Sequence, residues 1–290
     1  NIQQLNLTEK DFRGSQFRNH PTDLKGNNDV LSITKPDVVS LIHRQLLEAG
    51  ADIIETNTFN ANKVSQADYG LEAFCYQMNH ESAKILRELT DEFSKNNPDK
   101  PRFVAGVLGP TNKTASLSPD VNNPALRTIT YDYLVDTYSE STRGLLDGGA
   151  DLLLIETIFD TLNGKAALYA IESVFEEKNI RIPIMVSATI VDACGRTLSG
   201  QTIEAFLRSF SHLEILSIGL NCSLGARQLY PYLERISGIA PFYVSVHPNA
   251  GLPNQFGEYD QTPEEMALEI KTFLDNHCVN IVGGCCGSTP

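Results

Sequence analysis

Short runs that are apolar at nearly every position alternate along the chain with longer stretches in which apolar residues return every three or four positions. The short runs, bounded by glycine, proline and small polar residues, predict strands at 53–59, 103–108, 152–158, 184–190, 215–221, 242–246 and 280–284. A strand that is apolar on successive residues is covered on both faces, as in a parallel sheet packed under helices. The longer stretches predict helices at 36–49, 70–95, 131–147, 163–178, 202–212, 225–237 and 262–277. Pro36 and Pro263 fall where a first-turn proline is tolerated.

One unit occurs twice. Leu47-Glu48-Ala49-Gly50-Ala51-Asp52-Ile53-Ile54-Glu55-Thr56 returns as Leu146-Asp147-Gly148-Gly149-Ala150-Asp151-Leu152-Leu153-Leu154-Ile155-Glu156-Thr157. Each copy reads as a helix end, a glycine turn and a buried strand closing on Glu-Thr. The glycine suits a helix C-terminus, where a positive φ is needed. Strands alternating regularly with helices imply parallel pairing through right-handed crossovers. Seven such pairs are one fewer than a (β/α)8 TIM barrel contains. The expectation is therefore a single barrel domain over residues 1–290 that lacks its first strand and last helix, a fragment of a larger multidomain enzyme. A doubly wound open sheet is the alternative, but no Gly-x-Gly-x-x-Gly follows a first strand. In a barrel, the long polar loop at 110–130 lies on the catalytic face, where the C-terminal ends of the strands gather.

Composition narrows the choice of partners. The 290 residues are 41% hydrophobic and 20% charged, ordinary for a globular chain, with a formal net charge of −13. The acidic residues are scattered and no basic stripe is available for phosphates, which argues against nucleic acid. No apolar run approaches the roughly 20 residues that span a bilayer, and the polar N-terminus Asn1-Ile2-Gln3-Gln4 does not read as a signal peptide. The six cysteines, Cys75, Cys194, Cys222, Cys278, Cys285 and Cys286, are too few for a disulfide scaffold. They point to a reducing, cytoplasmic setting with reactive or metal-bound thiols.

Two of the cysteine sites fall at strand ends. Gly283-Gly284-Cys285-Cys286-Gly287 puts neighbouring thiols between glycines. In a regular strand adjacent side chains point to opposite faces, so both thiols reach one atom only where the backbone leaves strand geometry. Gly219-Leu220-Asn221-Cys222-Ser223 closes another strand, two away in a barrel. Three thiolates converging at the mouth would leave one coordination position open, as in a catalytic zinc site. A vicinal Cys285–Cys286 disulfide, a metal-free redox barrel and a non-catalytic zinc-binding scaffold are the alternatives. Cys75, Cys194 and Cys278 read as small buried hydrophobic residues.

These two cysteine motifs resemble the zinc motif of the homocysteine S-methyltransferase family. Further stretches resemble the family's cobalamin-dependent methionine synthase branch: Leu24-Lys25-Gly26-Asn27-Asn28-Asp29, Gly50 through Phe59, Leu108-Gly109-Pro110-Thr111-Asn112-Lys113-Thr114, Gly195 through Thr202, and Pro248-Asn249-Ala250-Gly251-Leu252-Pro253. The resemblance covers essentially the whole chain. It implies a TIM barrel whose Zn2+ is held by Cys222, Cys285 and Cys286, with L-homocysteine entering through its sulfur. It implies methylcobalamin as donor, regenerated from 5-methyltetrahydrofolate, with cobalamin and folate bound by other domains of the same enzyme outside this chain. Family members that use betaine or S-methylmethionine directly are the rival within the enzymes. Glu156 resembles the acidic residue for the homocysteine ammonium, and Glu55 holds the corresponding place in the other repeat copy. Asn249 resembles a residue able to approach the zinc when substrate is absent. Thr111 and Asn112 are expected at the pocket rim, and His247 in a positioning or structural role. The family's Asp-Gly-containing first strand has no counterpart in the sequence.

Overall fold

In the computed structural model, which describes residues 2–192 and 194–290, every predicted strand forms and pairs with the next. The strands are β1 (Ile53–Glu55), β2 (Phe103–Leu108), β3 (Leu152–Ile158), β4 (Ile184–Ala188), β5 (Ser217–Gly225), β6 (Tyr243–Asn249) and β7 (Ile281–Val282). All pairs are parallel and the order in the sheet is the order in the chain. That order has no switch point, so the doubly wound alternative is excluded. Seven main helices alternate with the strands: α1 (Pro36–Glu48), α2 (Cys75–Asn96), α3 (Tyr131–Asp147), α4 (Thr161–Lys178), α5 (Ile203–Phe210), α6 (Ala226–Ser237) and α7 (Pro263–Asp275). Thr130, Asp160, Thr202 and Thr262 each accept a backbone N–H of the first turn, so several helices start on a polar cap directly after a rim loop.

The sheet is curled. Alternate residues of β2 to β4 point inward, and Ala105, Val107, Leu152, Leu154 and Met185 form an inner cluster. Ile53 of the first strand and Ile281 of the last both pack on it. A cavity of about 840 Å³ is lined by both edges together with inward residues such as Leu154, Met185 and His247. The fold is thus a curled, all-parallel seven-stranded sheet of the TIM-barrel kind. A complete (β/α)8 barrel is not formed by the described residues: β1 and β7 pair with β2 and β6 alone. The residues of opposite parity, such as Leu153, Ile155 and Val186, join the larger core beneath the helices, where Phe206 and Phe210 of α5 are fully buried.

Several boundaries differ from expectation for identifiable reasons. β1 ends at Glu55 because side chains then replace the ladder: the Thr56 hydroxyl accepts the Val107 N–H (2.8 Å), and the Thr58 hydroxyl donates to the Val107 carbonyl (2.8 Å). β5 and β6 run further than predicted because Gly225 pairs with Asn249 beyond an irregularity. The two repeat glycines, Gly50 and Gly149, have φ of 108° and 98°, the positive values that the pattern required. Cys75 and Cys278 are buried, but Cys194 is exposed in the turn held by the Asp192 carboxylate, so it is not a core residue. No described helix is long and apolar enough to cross a membrane.

Asp29 is a buried carboxylate whose oxygen accepts the Asn60 N–H (2.8 Å), fixing the loop after β1. Burial pushes its pKa up to about 6, against the pull of backbone hydrogen bonds from Asn60, Asp29 itself and Ala61. The raised value means that its contribution to stability is complete below the unfolded pKa and is lost as pH rises through about 6. Asp29→Asn should therefore gain stability relative to the natural chain between pH 4 and 6, to a limit of about 3 kcal/mol. Denaturant titrations across that range would reveal it; a constant difference would assign the effect to something other than this carboxyl.

Candidate metal and substrate site

β5 carries Cys222 past its last regular residue, where Cys222 and Ser223 adopt φ of 60° and 62°. This left-handed backbone is uncommon for residues with a Cβ, and it leaves the Cys222 thiol 3.8 Å from that of Cys286. Two strands away, β7 stops at Val282. The chain then leaves extended geometry while staying tied to β6: Cys285 N–H donates to the Pro248 carbonyl (2.8 Å), and Ala250 N–H donates to the Cys286 carbonyl (2.9 Å). A turn follows, closed by Ser288 N–H and hydroxyl on the Cys285 carbonyl (3.2 and 2.6 Å). Gly287 has φ of 82°, and a Cβ there would meet the Tyr259 Cβ at 2.4 Å and the first ring carbon at 2.5 Å. The outcome is that the sulfurs of Cys222, Cys285 and Cys286 all lie within 4.8 Å of one another.

The separation can be tested against a metal. Two zinc–sulfur arms of about 2.3 Å at a tetrahedral angle end about 3.8 Å apart. Cys222 Sγ and Cys286 Sγ are 3.8 Å apart. The donor set therefore fits zinc in chemistry and in spacing. The thiols also share their protons. Hydrogen bonds from Cys222 and then Cys285 hold the Cys286 thiol well below its ordinary value, whereas bonds to Cys222 and Cys286, with burial, push Cys285 up. Cys286 is the most exposed of the three.

Glu156 stands at the neighbouring mouth of β3. Its carboxyl is pushed well above the usual carboxylate range, first by burial and then by Glu55 and Cys286, with a hydrogen bond to Thr157 opposing. Glu55 lies opposite, its carboxylate 3.7 Å from His247 Nε2. His247 packs its ring over Gly283, where a Cβ would come within 2.3 Å. Asn249 is buried and its Oδ1 accepts the Cys286 N–H (3.2 Å), which ties it to the cysteine turn.

The chain matches the homocysteine S-methyltransferase family model over residues 1–290. It belongs to that family. Among solved structures it is similar to the homocysteine methyltransferase MmuM of Escherichia coli. The metallated form shows 21% identity and a TM-score of 0.67, over 90% of this chain and 83% of that one. The oxidized form shows 20% identity and a TM-score of 0.69 over the same shares. The apo form shows 18% and 0.66, over 92% and 86%. At such identities the structural likeness bears on the fold alone. Family membership gives the reaction class, S-methyl transfer with homocysteine as substrate.

Seen as a member of this family, the chain brings together most of the residues singled out in its sequence. Cys222, Cys285, Cys286, Glu156, Glu55, His247 and Asn249 gather at one mouth. Thr111 and Asn112 have partners elsewhere: Thr111 is buried, its hydroxyl donating to Lys113 and accepting from Asn163, and Asn112 donates to Asp68. They hold the 110–130 loop in place. Sequence reasoning missed three residues. Tyr259 packs against Gly287 beside Cys286. Thr157 takes a left-handed φ of 55°. Asn221 bonds to both repeat residues, Glu156 and Thr157. Asn221 and Thr157 were in plain view inside Gly-Leu-Asn-Cys and Glu-Thr, but nothing in one dimension shows that they touch.

Gly287→Ala should lower stability by about 1–2 kcal/mol from the left-handed backbone alone, with more from the Tyr259 overlap. It should also weaken metal retention by misaiming Cys286. Thermal unfolding and chelator competition would measure both; unchanged retention would mean that the turn does not aim the thiol.

Proposed function

We propose that this chain binds L-homocysteine through its sulfur at a zinc ion held by Cys222, Cys285 and Cys286 and presents it to a methyl donor, giving methionine. The observation that carries the reading is the convergence of three sulfurs beside the Glu156 carboxylate. A free thiol has a pKa near ~8.5 and is mostly protonated at neutral pH. Zinc in this position supplies the charge that keeps a bound thiol deprotonated and nucleophilic. Three protein sulfurs are one short of the four ligands that zinc takes, so the substrate sulfur completes the set.

The remaining work falls to the protein's own groups. Glu156 receives the substrate ammonium. Its carboxyl resists ionisation while the site holds no cation, and an arriving ammonium favours the ionised form. Glu55 supports it from across the mouth. Asn249, through the Cys286 N–H, holds the cysteine turn, and the family resemblance would have it approach the zinc when substrate is absent. The sulfur then attacks the methyl carbon in line, the methyl–donor bond breaks, and the donor leaves with that electron pair.

The methionine-synthase-like stretches support methylcobalamin as the donor, remethylated from 5-methyltetrahydrofolate. Residues 1–290 would then be one homocysteine-binding domain, with the cobalamin and folate domains elsewhere in a longer cytoplasmic enzyme. A second reading, within the same family, has betaine or S-methylmethionine as a direct donor.

Zinc-loaded protein should release protons when L-homocysteine is added. Glu156→Gln should keep its zinc while binding homocysteine at least about tenfold more weakly, the order expected for a lost charged hydrogen bond. Calorimetry in buffers of different ionisation enthalpy measures both. Zinc-loaded protein indifferent to homocysteine would support a scaffold instead. Offering methylcobalamin, betaine and S-methylmethionine in turn separates the donors.

A further inference from the structure

Asn221 is buried, yet all four hydrogen-bonding positions of its amide are used. Oδ1 accepts from the Thr157 N–H (3.0 Å) and from the Ser187 hydroxyl (2.7 Å). Nδ2 donates to Thr157 Oγ1 (2.7 Å) and to Glu156 Oε2 (3.3 Å). Asn221 therefore reaches from β5 across β4 to the end of β3. It meets β3 at the irregularity between Ile155 and Ile158, where Thr157 is left-handed and its N–H is left for a side chain to satisfy. On its own strand Asn221 precedes the left-handed pair Cys222 and Ser223, at the start of a second irregularity against β6. One side chain thus pins both distortions, the one that aims Glu156 and the one that aims Cys222.

We propose that Asn221 is a positioning residue that fixes the distance between the cysteine cluster and the Glu156 carboxylate. It thereby selects a thiol amino acid by the length of carbon chain between sulfur and ammonium. This rests on the function proposed above, in which the cysteines hold the sulfur end and Glu156 the ammonium end. The span between these ends is then a property of the protein, and a substrate one methylene shorter or longer cannot satisfy both. Asn221 is covalently next to one end and hydrogen-bonded to the other, so one side chain ties the two ends together.

The test uses the zinc-loaded chain, its Asn221→Asp variant and its Thr157→Val variant, titrated with three thiols. L-Homocysteine reports both ends, 4-mercaptobutyrate lacks the ammonium, and L-cysteine is one methylene shorter. Asn221→Asp keeps the shape and the two acceptor bonds and can accept the Thr157 hydroxyl in turn, but it replaces the donation to Glu156 with carboxylate–carboxylate repulsion. It should retain its zinc and bind 4-mercaptobutyrate within about twofold of the natural chain. Its homocysteine affinity should fall about tenfold or more, and its preference for homocysteine over cysteine should shrink. Thr157→Val removes one of the donations and should move selectivity the same way, less far; it also reads the effect if Asn221→Asp folds poorly. Equal weakening of all three thiols, or unchanged homocysteine preference in both variants, would overturn the inference. If the natural chain itself binds none of the thiols at its zinc, the proposed function fails, an outcome separate from an Asn221 effect that is absent while the natural chain binds.

Discussion

The mouth of this sheet depends on one constraint: two strands that are not neighbours must deliver three sulfurs to the same point. β5 and β7 are separated by β6, and regular strands would send Cys285 and Cys286 to opposite faces. The chain meets the constraint with left-handed backbone, at Cys222 and Ser223 in the irregular part of β5 and at Gly287 in the turn after β7. Such backbone costs about 1–2 kcal/mol for each residue with a Cβ. β6 underwrites it, pairing with β5 as far as Asn249 and taking the Cys285 N–H on the Pro248 carbonyl. Strain of this kind persists where surrounding bonds over-determine it, and it gathers at functional sites.

Charge follows from the same constraint. Three thiols in contact cannot all ionise without a cation between them. The cluster therefore holds its protons unevenly, with the Cys286 thiol held low and the Cys285 thiol pushed up. Burial and the nearby Glu55 push the Glu156 carboxyl toward its neutral form, so the site favours an arriving cation that lets it ionise. A site built in this way, in a chain of net charge −13, is poised for positive charge, namely a divalent ion at the sulfurs and an ammonium at the carboxylates.

The architecture was largely legible in the sequence because it is written in periodicity. β2, β3 and α3 have the bounds that their apolar patterns predicted, and the repeat glycines take the positive φ that their helix ends required. Errors fell where side chains compete with backbone for hydrogen bonds. Thr56 and Thr58 end β1 early, although their β-branched neighbours read as strand. The cysteine cluster was visible because cysteine is rare in the chain and two of the three lie between glycines. The role of Asn221 was hidden because it depends on a contact across an intervening strand, which neither spacing nor composition encodes. Thr111 and Asn112 drew notice for their place on a rim loop, yet the structure turns their polar groups to the loop's own anchoring.

The central claim is that the three cysteines hold a zinc with room for one more sulfur. Zinc K-edge X-ray absorption on the metal-loaded chain, with and without L-homocysteine, tests it most directly. The account predicts three sulfur neighbours at about 2.3 Å and a lighter fourth atom, changing to four sulfurs when homocysteine is added. A first shell that already holds four ligands and stays the same with homocysteine, or one without sulfur, would contradict it.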